Sequence, residues 1–136
     1  MKHRLFYLLC CLLVLVMGIQ ACQNEQRITE ARYYVNGMAL YQKRCQNCHG
    51  EQGLGFKNLY PALTESPAIK AQKDLACLIR FGSQQRSLPG RQAMPGNTDL
   101  APIDIAYLIH YISNSFGNEA PFYSLEQVQS DLKNCP

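Results

Sequence analysis

The chain reads as an all-α domain with long loops. Three observations predict it. Apolar residues recur at helical spacing in several stretches, no stretch gives a strong strand signal, and Pro and Gly gather in two long intervals between the helical stretches. The length, 136 residues, allows one domain. The 47% apolar content argues against disorder, and no run of like charge marks a nucleic-acid tail.

The elements follow in order. Met1-Lys2-His3-Arg4 is basic, Leu5 to Ile19 is almost wholly apolar, and Ala21 precedes Cys22. Basic head, apolar centre and small residue describe a secretory signal peptide over 1–21. The Cys after Ala21 resembles a lipoprotein box, which makes Cys22 the acylated N-terminus. An ordinary signal peptide and an uncleaved anchor, for which the apolar run is short, are the alternatives. Lys2 and Arg4 leave with the signal, so the net charge falls from +3 to +1. Residues 22–32 read as the lipidated N-terminus and a polar tether, and 33–136 as the domain with a short C-terminal helical extension.

Glu30 to Arg44 lacks Pro and reads as helix, with Gly37, Tyr41 and Cys45 along one face. Residues 50–67 are a loop. Ala68 to Phe81 is helical in parts, with a Leu75, Leu78, Ile79 stripe and a stop at Gly82. Residues 82–98 form a second loop. Pro102 to Ser115 is the best helix. Pro102 suits its first position, Asp104 its first turn, and Ile105, Leu108, Ile109 and Ile112 make one stripe. Ser124-x-x-Gln127 is a capping box that opens a last short helix, with Val128 and Leu132 on its apolar side. Two long loops leave such a domain short of core, so something else must fill its middle.

Cys45-Gln46-Asn47-Cys48-His49 supplies the filler. C-x-x-C-H is a covalent haem c attachment pattern. Two thiols three residues apart can each add to one haem vinyl group, and the adjacent His can supply the proximal imidazole. A thioredoxin-like pair would want a strand before the motif and a helix after it. A structural zinc site would want four ligands, and the motif offers three. A structural disulfide would have only two intervening residues. For a sixth ligand the candidates are Met94, Met38 and His110. Met94 lies in a loop between Ala93 and Pro95-Gly96. Met38 reads as helix packing. His110 lies about 140° round its helix from Ile105, away from the apolar stripe, and reads as an exposed surface residue. Cys77 and Cys135 are the last two thiols in an extracytoplasmic, oxidising compartment and can form a disulfide; two buried free thiols are the alternative.

Across residues 33–133 the chain resembles the class I c-type cytochromes. Five segments carry the resemblance in order: Gly37-x-x-x-Tyr41-x-x-x-Cys45, Cys45-x-x-Cys48-His49-Gly50, Tyr60-Pro61-Ala62-Leu63, Ala93-Met94-Pro95-Gly96 and Leu108-x-x-Tyr111-Ile112, continued by Asn114 to Asn118. The resemblance implies a cytochrome c fold of four to five helices with long loops around one covalent haem c. It implies thioethers at Cys45 and Cys48 and axial ligands His49 and Met94. It also implies a Pro61 carbonyl that accepts from the ligand His, and Leu63 against the haem. The last helix would cross the first at Gly37. The function implied is electron transfer by a monomer, without catalysis. The partners would be redox proteins: a dehydrogenase or quinol-oxidising complex as donor, a terminal oxidase or reductase as acceptor. A lipid anchor would hold the chain on the periplasmic side of a bacterial membrane, and no nucleic acid is involved. Lys43, Arg44, Lys57, Arg86 and Arg91 flank the haem segments and either steer an acidic partner or are simply solvated. The alternatives are a haem c subunit of a larger dehydrogenase or oxidase complex, and a small haem enzyme or gas sensor with an open iron.

Overall fold

The computed structural model describes residues 2–57, 59–64, 66–72, 74–83 and 92–136. It contains helices α1 (Lys2–Arg44), α2 (Gln46–His49), α3 (Pro67–Ala71), α4 (Leu75–Phe81), α5 (Pro102–Ser113) and α6 (Leu125–Lys133). Among the described residues there is no strand, only an isolated antiparallel bridge between Phe56 and Tyr60. The all-α class holds. Among the described residues six helices replace the expected four to five, for two reasons. The C-x-x-C-H motif itself winds one turn, and the 68–81 stretch divides where Gln72 takes a positive φ of 54°.

The chain forms two compact units, Met1–Arg32 and Tyr33–Pro136. In the first unit the apolar side chains of Phe6, Leu8, Leu9, Leu12 and Leu13 are exposed. Among the described residues no helix is long and apolar enough to cross a membrane. The expected tether is instead helical. Residues 23–29 contain neither Pro nor Gly, and Gln26 donates to Glu30 while Thr29 donates to the Glu25 carbonyl, both one turn away. The side chain of Cys22, the expected lipid acceptor, lies outside the described residues.

The second unit is built on α5. Ile105, Ala106, Leu108 and Ile109 are essentially solvent-free, and the helix packs against α3, α4 and α6. Pro102 opens it, and the Asp104 carboxylate accepts the Ala101 N–H at 3.0 Å, satisfying one of the donors a helix start leaves over. The α6 capping box closes both ways. Ser124 N–H donates to Gln127 Oε1 at 2.8 Å, and Gln127 N–H donates to Ser124 Oγ at 3.3 Å. Val128 of α6 is fully buried. A disulfide joins Cys77 of α4 to Cys135 just beyond α6, 58 residues on.

α1 meets α5 at Gly37. A Cβ at this position would overlap the Tyr107 carbonyl and Tyr111 Cβ. Glycine in a helix costs about 1 kcal/mol relative to alanine. Here the overlap is with backbone, which cannot rotate away, and overpacking costs of about 1–3 kcal/mol or more outweigh that gain. Gly37→Ala should therefore lower the thermal midpoint of the purified protein. An unchanged or raised midpoint would mean that the crossing is looser than described.

His110 corrects the sequence reading. It is 7% exposed, not a surface residue. Its ring lies edge-on to Tyr33 of α1 and Phe122 of the C-terminal extension, at centroid distances of 6.1 and 5.3 Å. The helical wheel of α5 showed a second, less apolar face. It could not show that α1 and the extension cover that face with aromatic rings.

Candidate haem site

α1 delivers the site. The Cys45 N–H donates to the Tyr41 carbonyl at 2.9 Å, so helical bonding runs into the motif. Cys48 and His49 then both donate to the Cys45 carbonyl, at 3.1 and 3.0 Å, and Gly50 donates to the Gln46 carbonyl at 2.8 Å. This one turn puts Cys45 and Cys48 on the same face, as an i, i+3 pair must be. The two are free thiols, not bridged to each other. Burial, with Cys48 beside it, pushes the Cys45 thiol up to about 11.

His49 is held by the loop that follows. Its Nδ1–H donates to the Pro61 carbonyl at 3.0 Å, which leaves Nε2 with its lone pair for a metal. The loop is pinned at several points. Gly55 donates to the His49 carbonyl at 2.8 Å and Leu63 to the Gly53 carbonyl at 2.7 Å. Asn118, beyond the end of α5, donates to the carbonyls of Leu63 at 2.7 Å and Ile112 at 3.1 Å. The Tyr41 hydroxyl donates to the Gly50 carbonyl at 2.6 Å. Desolvation raises the phenol well above its ordinary value, so it is a donor throughout the physiological range.

A cavity of about 780 Å³ opens against this face. Cys45, Cys48, His49, Pro61, Leu63 and Met94 all line it. Most of the remaining wall is apolar, from Ile69, Leu75, Leu78 and Ile79 of α3 and α4 to Leu108 and Ile112 of α5. Two thiols, an imidazole fixed through Nδ1, a thioether and an apolar wall fit a flat, largely apolar macrocycle with a ligated metal. Among the described residues no three His, Cys, Asp or Glu side chains gather as they would around a zinc ion. Met38 packs against the core and His110 sits in its aromatic cluster, and neither lines the cavity.

A family model described as cytochrome c oxidase, cbb3-type, subunit III matches residues 34–112, more than half of the chain. The chain belongs to this family of c-type cytochromes. Membership brings covalently bound haem c and electron transfer with it. Relatives include the cytochrome c subunit of a quinone alcohol dehydrogenase from Gluconacetobacter polyoxogenes, 31% identical over 93 residues, which are 64% of this chain and 20% of the relative. The corresponding subunit from Gluconobacter oxydans (strain 621H) is 29% identical over 91 residues, 62% of this chain and 19% of the relative. The cytochrome thus spans about a fifth of the length of these curated relatives.

Of the cationic residues flanking the site, Arg44 lines the cavity and pairs with Asp99 at 2.5 Å. Asp99 is exposed, and the Arg44 hydrogen bond holds its carboxyl below the usual carboxylate range. Lys57 stands 5.5 Å from the Phe56 ring centroid. Arg86 and Arg91 lie outside the described residues. Sequence reasoning missed three contributors: the Tyr41 hydroxyl, the Asn118 amide and Ser83, whose Oγ accepts the Met94 N–H at 2.9 Å. The sequence placed Tyr41 only on one face of the first helix with Gly37 and Cys45. Nothing local marks a serine or an asparagine whose partner is 11 or 55 residues away.

Proposed function

We propose that this c-type cytochrome is a single-haem electron carrier in which Cys45 and Cys48 hold the porphyrin and His49 and Met94 ligate the iron. When bound, haem c supplies an iron that takes up and gives back one electron. The chain's own work is to keep that exchange free of rearrangement. The Pro61 carbonyl orients the His49 ring, Leu63 and the α4 and α5 residues line the cavity with apolar surface, and Met94, on the same wall, would as sixth ligand leave no open position for a substrate. That arrangement is a carrier's, not an enzyme's. The observation that carries this reading is the convergence of both thiols, His49 and Met94 on one cavity.

The chain is proposed to mature by loss of residues 1–21 and acylation of Cys22, and to work as a monomer on the periplasmic side of a bacterial membrane. Its donor would be a dehydrogenase or quinol-oxidising complex and its acceptor a terminal oxidase or reductase. A second reading, a haem c subunit of a larger dehydrogenase, is favoured by its relatives, which are cytochrome c subunits of a quinone alcohol dehydrogenase.

The test is the optical spectrum of the purified ferric protein. The weak long-wavelength band of a sulfur–iron bond should be present, Met94→Ala should abolish it, and His110→Ala should leave it in place. A high-spin ferric spectrum without that band would overturn the carrier reading. Loss of the band in the His110 variant would overturn the ligand assignment.

A further inference from the structure

Ser83 is the first residue past the α4 C-cap, and it makes two hydrogen bonds to one residue. Its N–H donates to the Met94 carbonyl at 3.0 Å, and its Oγ accepts the Met94 N–H at 2.9 Å. Met94 is thereby gripped on both sides of its Cα. The loop is held again three residues later, because Asn97 donates through both N–H and Nδ2 to the Ile79 carbonyl, at 3.0 and 3.3 Å. The grip depends on Gly82. Its φ is +75°, and a Cβ there would overlap the Met94 carbonyl oxygen and crowd Gly96 N, so only glycine lets the end of α4 come this close.

We propose that Ser83 is a positioning residue for Met94, its hydroxyl fixing the backbone from which the thioether reaches the iron. This rests on the reading of Met94 as the sixth ligand. A thioether is a weak, neutral ligand that competes with any stronger base near the iron. Its hold therefore depends on how little freedom its backbone has once it is displaced. The Ser83 N–H bond belongs to the main chain and survives substitution by alanine or threonine. The Oγ bond does not survive alanine, and without it the half-buried Met94 N–H loses its acceptor.

The experiment is an imidazole titration of the ferric holoprotein, followed through the sulfur–iron band, on wild type, S83A and S83T. S83A should bind imidazole about fivefold more tightly, the factor that corresponds to one net hydrogen bond. S83T should behave as wild type, and the thermal midpoints of all three should agree within a few degrees. Hydrogen exchange at the Met94 amide should quicken in S83A by a similar factor, a readout that does not depend on what ligates the iron. An unchanged affinity and exchange rate in S83A would overturn the proposal, as would a gain of the same size in S83T. M94A separates the two readings. If it keeps the band, the ligand assignment has failed. If it loses the band while S83A is silent, the assignment stands and Ser83 is not its positioning residue.

Discussion

Replacing both Cys45 and Cys48 with Ser is expected to leave a chain that retains no haem after denaturation and, once stripped of haem, does not fold cooperatively. The loss of covalent attachment follows from chemistry, since a serine hydroxyl does not replace a thiol in the thioether. The loss of folding follows from the cavity. About 780 Å³ lies against Ile69, Leu75, Leu78, Ile79, Leu108 and Ile112. Unfilled apolar space costs about 24 cal/mol per Å³, so emptying even a fifth of that volume costs about 4 kcal/mol. A domain of this size has only about 5–15 kcal/mol in total. Haem staining of a denaturing gel and a far-ultraviolet circular dichroism melt of the haem-stripped chain would read the two effects separately. A variant with wild-type helix content and a cooperative melt would show that the helices close on one another without the macrocycle.

Removing the Cys77–Cys135 disulfide has the second largest expected effect. The bridge joins residues 58 apart in sequence, and its loop includes α4 from Cys77 onward, the Met94 loop, α5 and α6. In the chain-entropy model, closing such a loop in the unfolded state is worth on the order of 4 kcal/mol. The double variant Cys77→Ala/Cys135→Ala should therefore shift the urea midpoint far to lower concentration with little change in slope. Its optical spectrum below the transition should stay as in wild type, because Val128 and the α5 contacts still seat α6. Two titratable thiols in the unreduced, denatured wild-type protein, or an unchanged urea midpoint in the double variant, would remove the bridge from the account of stability.

The readable part of the fold lay where a residue's meaning is local. Ser124 and Gln127 face each other because they are three apart at a helix start, and Asp104 caps Ala101 for the same reason. The α5 stripe of Ile105, Leu108, Ile109 and Ile112 is buried as its 3.6-residue period requires. The division of the 68–81 stretch was not readable. Among the described residues the break holds a left-handed residue, Gln72, whose side chain is buried and donates to the Pro121 carbonyl 49 residues away.

The sequence by itself determined the chemistry of the site. The spacing of Cys45, Cys48 and His49 puts two thiols and an imidazole on one helical turn, a matter of covalent geometry within five residues. The tertiary structure decided everything that needs two distant segments to meet. It placed Pro61 on His49, Ser83 on Met94, Asn118 across Leu63 and Ile112, and His110 inside an aromatic cluster instead of in water. The physical reason is that helical period and motif spacing act along the chain. The partner of a buried polar group is chosen by whichever segment the packing brings within hydrogen-bonding reach.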